Sequence, residues 1–235
     1  GAALDMPDWL LEQFDASLGG DAERTALALR DRAPGSVRVN LARGSVEDAA
    51  HALAEDGVTT SPNPRAATAL TVLEGARRLR ASGAYNSGLV ELQDAASQAA
   101  MAQITGQGRA LDYCAGGGGK ALALAAQGWN VTAHDAEPAR MRDLPARAAR
   151  GGHDIRIAPP PELAELPRFD VDTAMGYVLD GGALYYDTCS VLAQENAAQV
   201  NAFTERQPGW RCDADWHWPV DASGDGFYLA RLLRE

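Results

Sequence analysis

Apolar residues at Trp9, Leu10, Phe14 and Leu18 recur close to a helical repeat, which predicts a helix over 6–18 with Pro7 near its start. A second helix is expected over about 21–30, ending ahead of Pro34-Gly35. Val37-Arg38-Val39-Asn40 reads as a strand, and 46–56 as a helix stopped by Gly57. The proline content of Ser61-Pro62-Asn63-Pro64 predicts a loop. The run 69–73 fits either a strand or the start of a helix. Residues 89–94 read as a strand running into a helix over 95–101.

The next stretch organises the rest. Leu111-Asp112-Tyr113 is a short strand, Cys114-Ala115-Gly116-Gly117-Gly118-Gly119-Lys120 a glycine loop, and Ala121 to Ala126 a run of good helix formers closed by Gly128. Residues 129–135 form a second strand ending in Asp135. A helix over 140–150 and a third strand over 154–157 follow, and Arg168-Phe169-Asp170-Val171 opens a fourth strand. Gly181-Gly182 is a tight turn into a fifth strand that ends at Cys189. A helix over 195–206 and a last strand within 225–233 close the chain. There is no internal repeat.

Taken alone, four glycines are as readily a flexible turn as a ligand loop. The order of strand, loop, helix, strand and acid favours the ligand loop. Glycines let a ligand approach the main chain without meeting a Cβ, and the helix N-terminus points free N–H groups over the loop. Asp135 stands roughly 20 residues beyond the loop, where a doubly wound sheet places the carboxylate for ribose hydroxyls. The loop is neither G-x-G-x-x-G nor a Walker sequence, because Ala121 follows Lys120. A nucleoside cofactor other than a dinucleotide or ATP is therefore expected. Cys114, Asp135 and Cys189 all fall at carboxyl ends of strands, where open α/β sheets bind ligands.

Composition narrows the setting. At 235 residues, with 46% hydrophobic residues, the chain fits one large domain or a medium and a small one. No apolar run approaches the roughly 20 residues that span a bilayer, and no signal peptide is visible at the start. Cys114, Cys189 and Cys212 are odd in number and lack CxxC spacing, which argues against a disulfide framework or a metal site and suits the cytoplasm. A net charge of -11 argues against indiscriminate nucleic-acid binding while leaving room for a local basic groove. Arg77, Arg78 and Arg80 form the densest basic cluster, which reads as a solvated helix face rather than an RNA contact.

The residues then resemble a family. Asp112 to Lys120 is similar to the cofactor loop of the Sun or RsmB-type RNA (cytosine-5) methyltransferases, with glycines in place of an alanine-proline pair. Tyr186-Asp187-Thr188-Cys189-Ser190 followed by Glu195-Asn196 resembles their nucleophile motif. Gln93-Asp94 with Ser97, Asp225-Gly226-Phe227-Tyr228, Met6 to Leu10 and Val37 to Asn40 extend the likeness over nearly the whole chain. The resemblance implies an α/β fold, a doubly wound Rossmann-like methyltransferase sheet over 85–235 with a small N-terminal RNA-associated α+β domain over 1–84. It implies an S-adenosyl-L-methionine site lined by Cys114, Ala115, Gly116, Gly117, Gly118, Gly119, Lys120 and Asp135, with Arg140 nearby. No metal is implied. RNA, ribosomal in the closest reading, is the implied partner of a monomer.

By the same resemblance Cys189 is the nucleophile, and Lys120 assists it or hydrogen-bonds the base. The chemistry explains the residue type: cytosine carbon 5 is a poor nucleophile until a thiolate adds to carbon 6. Such a thiol is expected to have a lowered pKa. The alternative for Cys189 is a small buried core residue. For Cys114 and Cys212 packing is the expectation, as it is for Trp210, Trp216, His217 and Trp218 rather than base stacking. A noncatalytic RNA- or ribosome-assembly-binding member, and a methyltransferase on a non-RNA substrate, are the competing functions.

One departure stands out. The family carries a second cysteine in an Asp-x-Pro-Cys-Ser motif after the fourth strand, and this sequence has no Pro-Cys-Ser. A strand of roughly five residues and a crossover of about a dozen do not fit between Phe169 and Asp180. Either the loop is truly deleted, which would impair turnover, or a segment is missing between Val171 and Asp172; the spacing favours a missing segment that contains that cysteine and its Asp. Ala158-Pro159 also stands where the family often has an acid after the third strand.

Overall fold

The computed structural model describes residues 4–31, 33–158, 175–178 and 181–234. Val171 and Asp172, the expected fourth strand and Pro159 lie outside the described residues. The chain divides into two compact units, residues 34–169 and residues 1–33 together with 170–235. The expected division at 84/85 does not follow these units.

Two helices open the second of these units: α1 (Asp8–Leu18), with Pro7 at its N-cap, and α2 (Ala22–Ala28). Phe14, Ala22 and Ala26 form a small buried cluster joined by Leu10, Leu18, Val191 and Leu192, whereas Trp9 is exposed.

Residues 34–169 begin with β1 (Ser36–Val39) and α3 (Val46–Glu55), which starts in a capping box between Ser45 and Asp48. There follow β2 (Thr59–Pro62), β3 (Ala69–Glu74), a 3-10 turn over Ala76–Ala81, α4 (Gly83–Asn86) and β4 (Val90–Leu92). The strands pair antiparallel in the order β2-β3-β1-β4, the ferredoxin-like arrangement. The expectation of a loop at Ser61-Pro62 is corrected: both residues pair with β3. Proline is tolerated because β2 is the sheet edge and Pro62 its last residue, where no ladder N–H is required. Residues 69–73, left open between strand and helix, are strand. Arg77, Arg78 and Arg80 are all exposed on the 3-10 turn.

One face of this sheet is apolar, with Val37, Val39, Leu70, Val72 and Val90 packed on Leu53 and Ala49 of α3. The other carries Arg38 and Glu91, directly opposite one another on β1 and β4, with Gln93 just beyond. All three are buried, because that face is covered within the same unit by the elements that follow. Gly88 makes the approach possible: it has φ +74, and a Cβ there would stand 2.0 Å from the Arg150 carbonyl. Asn40 Nδ2 joins the two sides by donating to the carbonyls of Gly88 and Gly151.

Those later elements are α5 (Ala95–Ala102), capped by the Asp94 carboxylate, then β5 (Arg109–Asp112), α6 (Gly119–Ala126), β6 (Asn130–Ala133), α7 (Leu144–Gly151) and β7 (Ile155–Ile157). The strands are parallel in the order β5-β6-β7, a Rossmann-like sheet whose alternating strands and helices match the sequence expectation. The helix expected over 140–150 is interrupted: a 3-10 turn over Pro138–Met141 precedes α7, which restarts with Pro145 in its first turn.

The remaining described elements of the other unit are β8 (Ala183–Thr188), α8 (Ala197–Arg206), β9 (Trp210–Trp218) and β10 (Phe227–Arg234). Among the described residues β8 pairs only with β10, and antiparallel, in a sheet of order β8-β10-β9. This qualifies the expected fifth strand of a parallel sheet, since the fourth strand that would adjoin it lies outside the described residues. The strand β9 has no counterpart among the sequence expectations, which assign its tryptophans to packing. Trp210 does pack, edge to face on Phe203, but Trp216 and Trp218 are only half-buried and His217 is exposed.

The buried face of the ferredoxin-like sheet carries a pH dependence. His153 is pushed below the usual histidine range, first by burial and then by Arg38 and Arg43. A depressed pKa means the unfolded chain binds the proton more readily, so the stabilisation is present above about pH 6.5 and is lost as pH falls below it. His153→Gln is expected to flatten the fall in thermal midpoint between pH 7.5 and 5.5, as followed by circular dichroism.

Candidate active site

The glycine loop is held by buried carboxylates at both ends. Asp135, fully buried after β6, accepts the Gly116 N–H at 2.8 Å through Oδ2 and the Glu137 N–H at 2.9 Å through Oδ1. Asp112, at the end of β5, accepts the Ala121 N–H at 3.0 Å, which serves one of the unpaired donors in the first turn of α6. The main chain closes the turn: Ala115 N donates to the His134 carbonyl, and Gly118 N to the Ala115 carbonyl. Buried His134 is itself fixed by its Nδ1 contact of 2.9 Å with the Ala158 carbonyl.

The loop needs glycine most at 118. Its φ is +80, and a Cβ would stand 2.3 Å from Leu144 Cδ1. Gly119 is different: a Cβ there meets nothing within 4 Å, so open space lies over the start of α6. The N–H groups of Gly117 and Gly119 donate to nothing among the described residues. An open space with unpaired N–H donors at a helix N-terminus suits the polar groups of an adenosine cofactor. Lys120, the one lysine of the chain, is the second residue of α6 and half-buried.

The structure thus brings Cys114 to Lys120, Asp135 and Arg140 together. The Arg140 guanidinium lies 3.7 Å from Asp135 Oδ2 and is largely exposed. Cys114 is exposed, against the expectation that it packs beside the loop, because its neighbour Ala115 takes the inward position. Cys212 is exposed too, on the edge strand β9, although partial burial still raises its pKa. The sequence reading included Asp112 only as the start of the loop resemblance and assigned no role to Glu91 or Arg147. Their signal was weak, since a lone acid ending a strand and an arginine on a helix are ordinary surface features.

Cys189 belongs to the other unit and follows β8 directly. It is exposed, which removes the alternative of a buried core residue. Its turn is built by its neighbours. Buried Asn196 accepts from the Thr188 hydroxyl and donates through Nδ2 to the Ser190 carbonyl at 2.9 Å, clasping the residues on either side of the thiol. Thr188 Oγ1 also accepts the Ser190 N–H, and Ser190 Oγ the Leu192 N–H. Tyr186 donates to the Glu195 carbonyl at 2.6 Å, with its hydroxyl pKa raised first by burial and then by Glu195 and Asp187. The spacing from Thr188-Cys189-Ser190 to Glu195-Asn196 therefore has a physical meaning: it lets one side-chain amide fix the cysteine turn.

Comparison with known proteins agrees with the fold. Residues 6–78 match the family model described as "Methyltr_RsmF/B-like, ferredoxin-like domain". The ribosomal RNA small subunit methyltransferase B of Cronobacter sakazakii is 27% identical over 285 residues, covering 97% of this chain and 66% of the relative. Residues 6–78 are thus similar to that ferredoxin-like domain, and nearly the whole chain to a ribosomal RNA small subunit methyltransferase B. The solved structure of PH0851 is 25% identical with a TM-score of 0.82, over 97% of this chain and 66% of that one. A methyltransferase homolog from Pyrococcus horikoshii shares the fold at 16% identity, with a TM-score of 0.80, over 100% and 97% of the two chains. The chain spans about two thirds of the length of its curated Sun/RsmB relatives. The Cronobacter alignment runs over 285 residues, more than the 235 of the chain, so this sequence lacks stretches that the relative has.

Two substitutions test the site's construction. Gly118→Ala combines a strained φ with overlap on Leu144, and urea denaturation should show a loss of about 1–3 kcal/mol. Asn196→Ala leaves the Thr188 hydroxyl and the Ser190 carbonyl without this partner and should cost about 1–3 kcal/mol. In that variant the Cys189 thiol should react with a small thiol reagent at a changed rate.

Proposed function

We propose that this protein is an S-adenosyl-L-methionine-dependent RNA (cytosine-5) methyltransferase acting on ribosomal RNA, as a monomer in the cytoplasm. The observation that carries the reading is the exposed Cys189 thiol, held at the end of β8 by a turn that Asn196 clasps on both sides. The Sun/RsmB relatives, named as ribosomal RNA methyltransferases, support the substrate class.

In this reading the backbone of Cys114 to Lys120 holds the cofactor, with Arg140 beside it, and Asp135, buried with both oxygens engaged, fixes the loop rather than meeting the ribose hydroxyls as the sequence suggested. The bound cofactor supplies an electrophilic sulfonium methyl group. Cys189 adds as a thiolate to carbon 6 of the cytosine, which places electron density on carbon 5. Carbon 5 takes the methyl group, its proton leaves to a base, and the carbon–sulfur bond breaks to return the thiolate. Lys120 is given the role that the family resemblance implies, hydrogen-bonding the base or favouring the thiolate. Residues 1–84 serve as the RNA-associated part, and no metal takes part.

A second reading is favoured by one observation: with Cys114, Cys189 and Cys212 as its three cysteines and no Pro-Cys-Ser, the chain lacks the family's second motif cysteine. A noncatalytic, RNA-binding role would follow. Transfer of a labelled methyl group to ribosomal RNA separates the two. Wild-type protein is expected to label cytosine and Cys189→Ala to lose more than 99% of the rate while binding S-adenosylhomocysteine with unchanged affinity in calorimetry. Wild-type protein that binds RNA without labelling it would establish the second reading. Asp135→Ala should weaken cofactor binding by releasing the Gly116 N–H that its carboxylate holds.

A further inference from the structure

We propose that Arg147 is a positioning residue of the cofactor loop, locked in place by Glu91 of β4; the inference rests on the cofactor reading above. Arg147 Nη1 donates to the Gly117 carbonyl, while its Nη2 lies 3.2 Å from Glu91 Oε1. Glu91 is anchored from its other oxygen by Arg150 Nη2 at 2.6 Å, and the Arg150 guanidinium lies 3.8 Å from the centre of the Tyr85 ring. The Glu91 side chain is 11% exposed and that of Arg147 20%, so the pair is shielded from solvent where a surface pair would not be.

The planar guanidinium fork suits this task, since it bonds a carboxylate with one nitrogen and a carbonyl with the other. The Gly117 carbonyl belongs to the same peptide group as the Gly118 N–H, which donates to the Ala115 carbonyl at 2.7 Å. Arg147 therefore fixes the peptide plane that leads into left-handed Gly118. A second arm holds the next carbonyl but one: Gln93 Nε2 donates to the Gly119 carbonyl at 3.2 Å, and Gln93 Oε1 accepts from Arg38 Nε at 2.8 Å. Gln93 belongs to the polar face of the ferredoxin-like sheet, and Arg147, on α7, is held by Glu91 of the same face. A loop of four glycines has unusual freedom to lose, and these contacts restrict it before any ligand arrives.

Arg147 touches the loop and Arg150 does not, although both bind Glu91, so the two arginines separate positioning from simple structural support. In the ligand-free protein, Arg147→Met is expected to speed hydrogen exchange at the Gly118 and Leu122 amides and to weaken S-adenosylhomocysteine roughly tenfold in calorimetry. Arg150→Met is expected to lower the thermal midpoint while keeping that affinity within about twofold. Arg147→Lys should not restore binding, because an ammonium group lacks the fork. Exchange at Gly118 and Leu122 that is unchanged in Arg147→Met would overturn the proposal. Wild-type protein that fails to bind S-adenosylhomocysteine would instead remove the cofactor reading, with the exchange comparison still deciding the role of Arg147 in the loop.

Discussion

Two buried carboxylates under a run of four glycines set the terms for the rest of residues 34–169. Asp135 holds the Gly116 amide and Asp112 the Ala121 amide, so the loop is tied down at its first glycine and at the first turn of the helix beyond. Hydrogen bonds from neutral N–H groups to a charged acceptor are each worth about 1.5–3 kcal/mol. They leave the amides of Gly117 and Gly119 as the donors still to be satisfied, which is where the chain has a use for a ligand. Strand, loop and helix thus serve one end: presenting unpaired main-chain donors beside open space.

The cost of this arrangement appears on the polar face of the ferredoxin-like sheet. Burial pulls the Arg38 guanidinium down to about 10, opposed by Glu91 and reinforced by Arg147, so it still carries its charge at neutral pH. Buried charges persist only when paired or fully hydrogen-bonded. Here each has partners: Arg38 donates to Gln93, and Glu91 receives Arg147 and Arg150. A hydrophobic face would bury as well but could not reach loop carbonyls with hydrogen-bond donors. The polar face therefore does what an apolar one cannot, holding the glycine loop through Gln93 and Arg147.

The cysteine turn relies on a different economy. Asn196 reaches back over a few residues to Thr188 and Ser190, so the local chain around Cys189 is largely self-supporting. A thiol that must meet a substrate has to stay exposed, and an exposed turn keeps one shape only if its own side chains fix it. The buried cluster of Phe203, Trp210, Tyr228 and Leu232 joins α8 to the antiparallel sheet, with Tyr186 of β8 packed against it.

The sequence by itself determined the elements whose signals are local. The helix pattern at Phe14, the good helix formers after Gly119 and the acid at the end of β6 were all legible, because periodicity, propensity and cap chemistry act over a few residues. The likeness of Thr188-Cys189-Ser190 and Glu195-Asn196 to one motif was legible too, but the hydrogen bonds from Asn196 to Thr188 and Ser190 came only with the structure. Only the tertiary structure decided the rest. Pro62 reads as a loop until β2 is seen at a sheet edge, and β8 reads as one more parallel strand until β10 lies against it. Glu91 and Arg147 are 56 positions apart and ordinary in isolation; they acquire a role only when β4 and α7 are packed together. Which polar groups end up buried is a property of what covers them, and no local pattern along a chain contains that information.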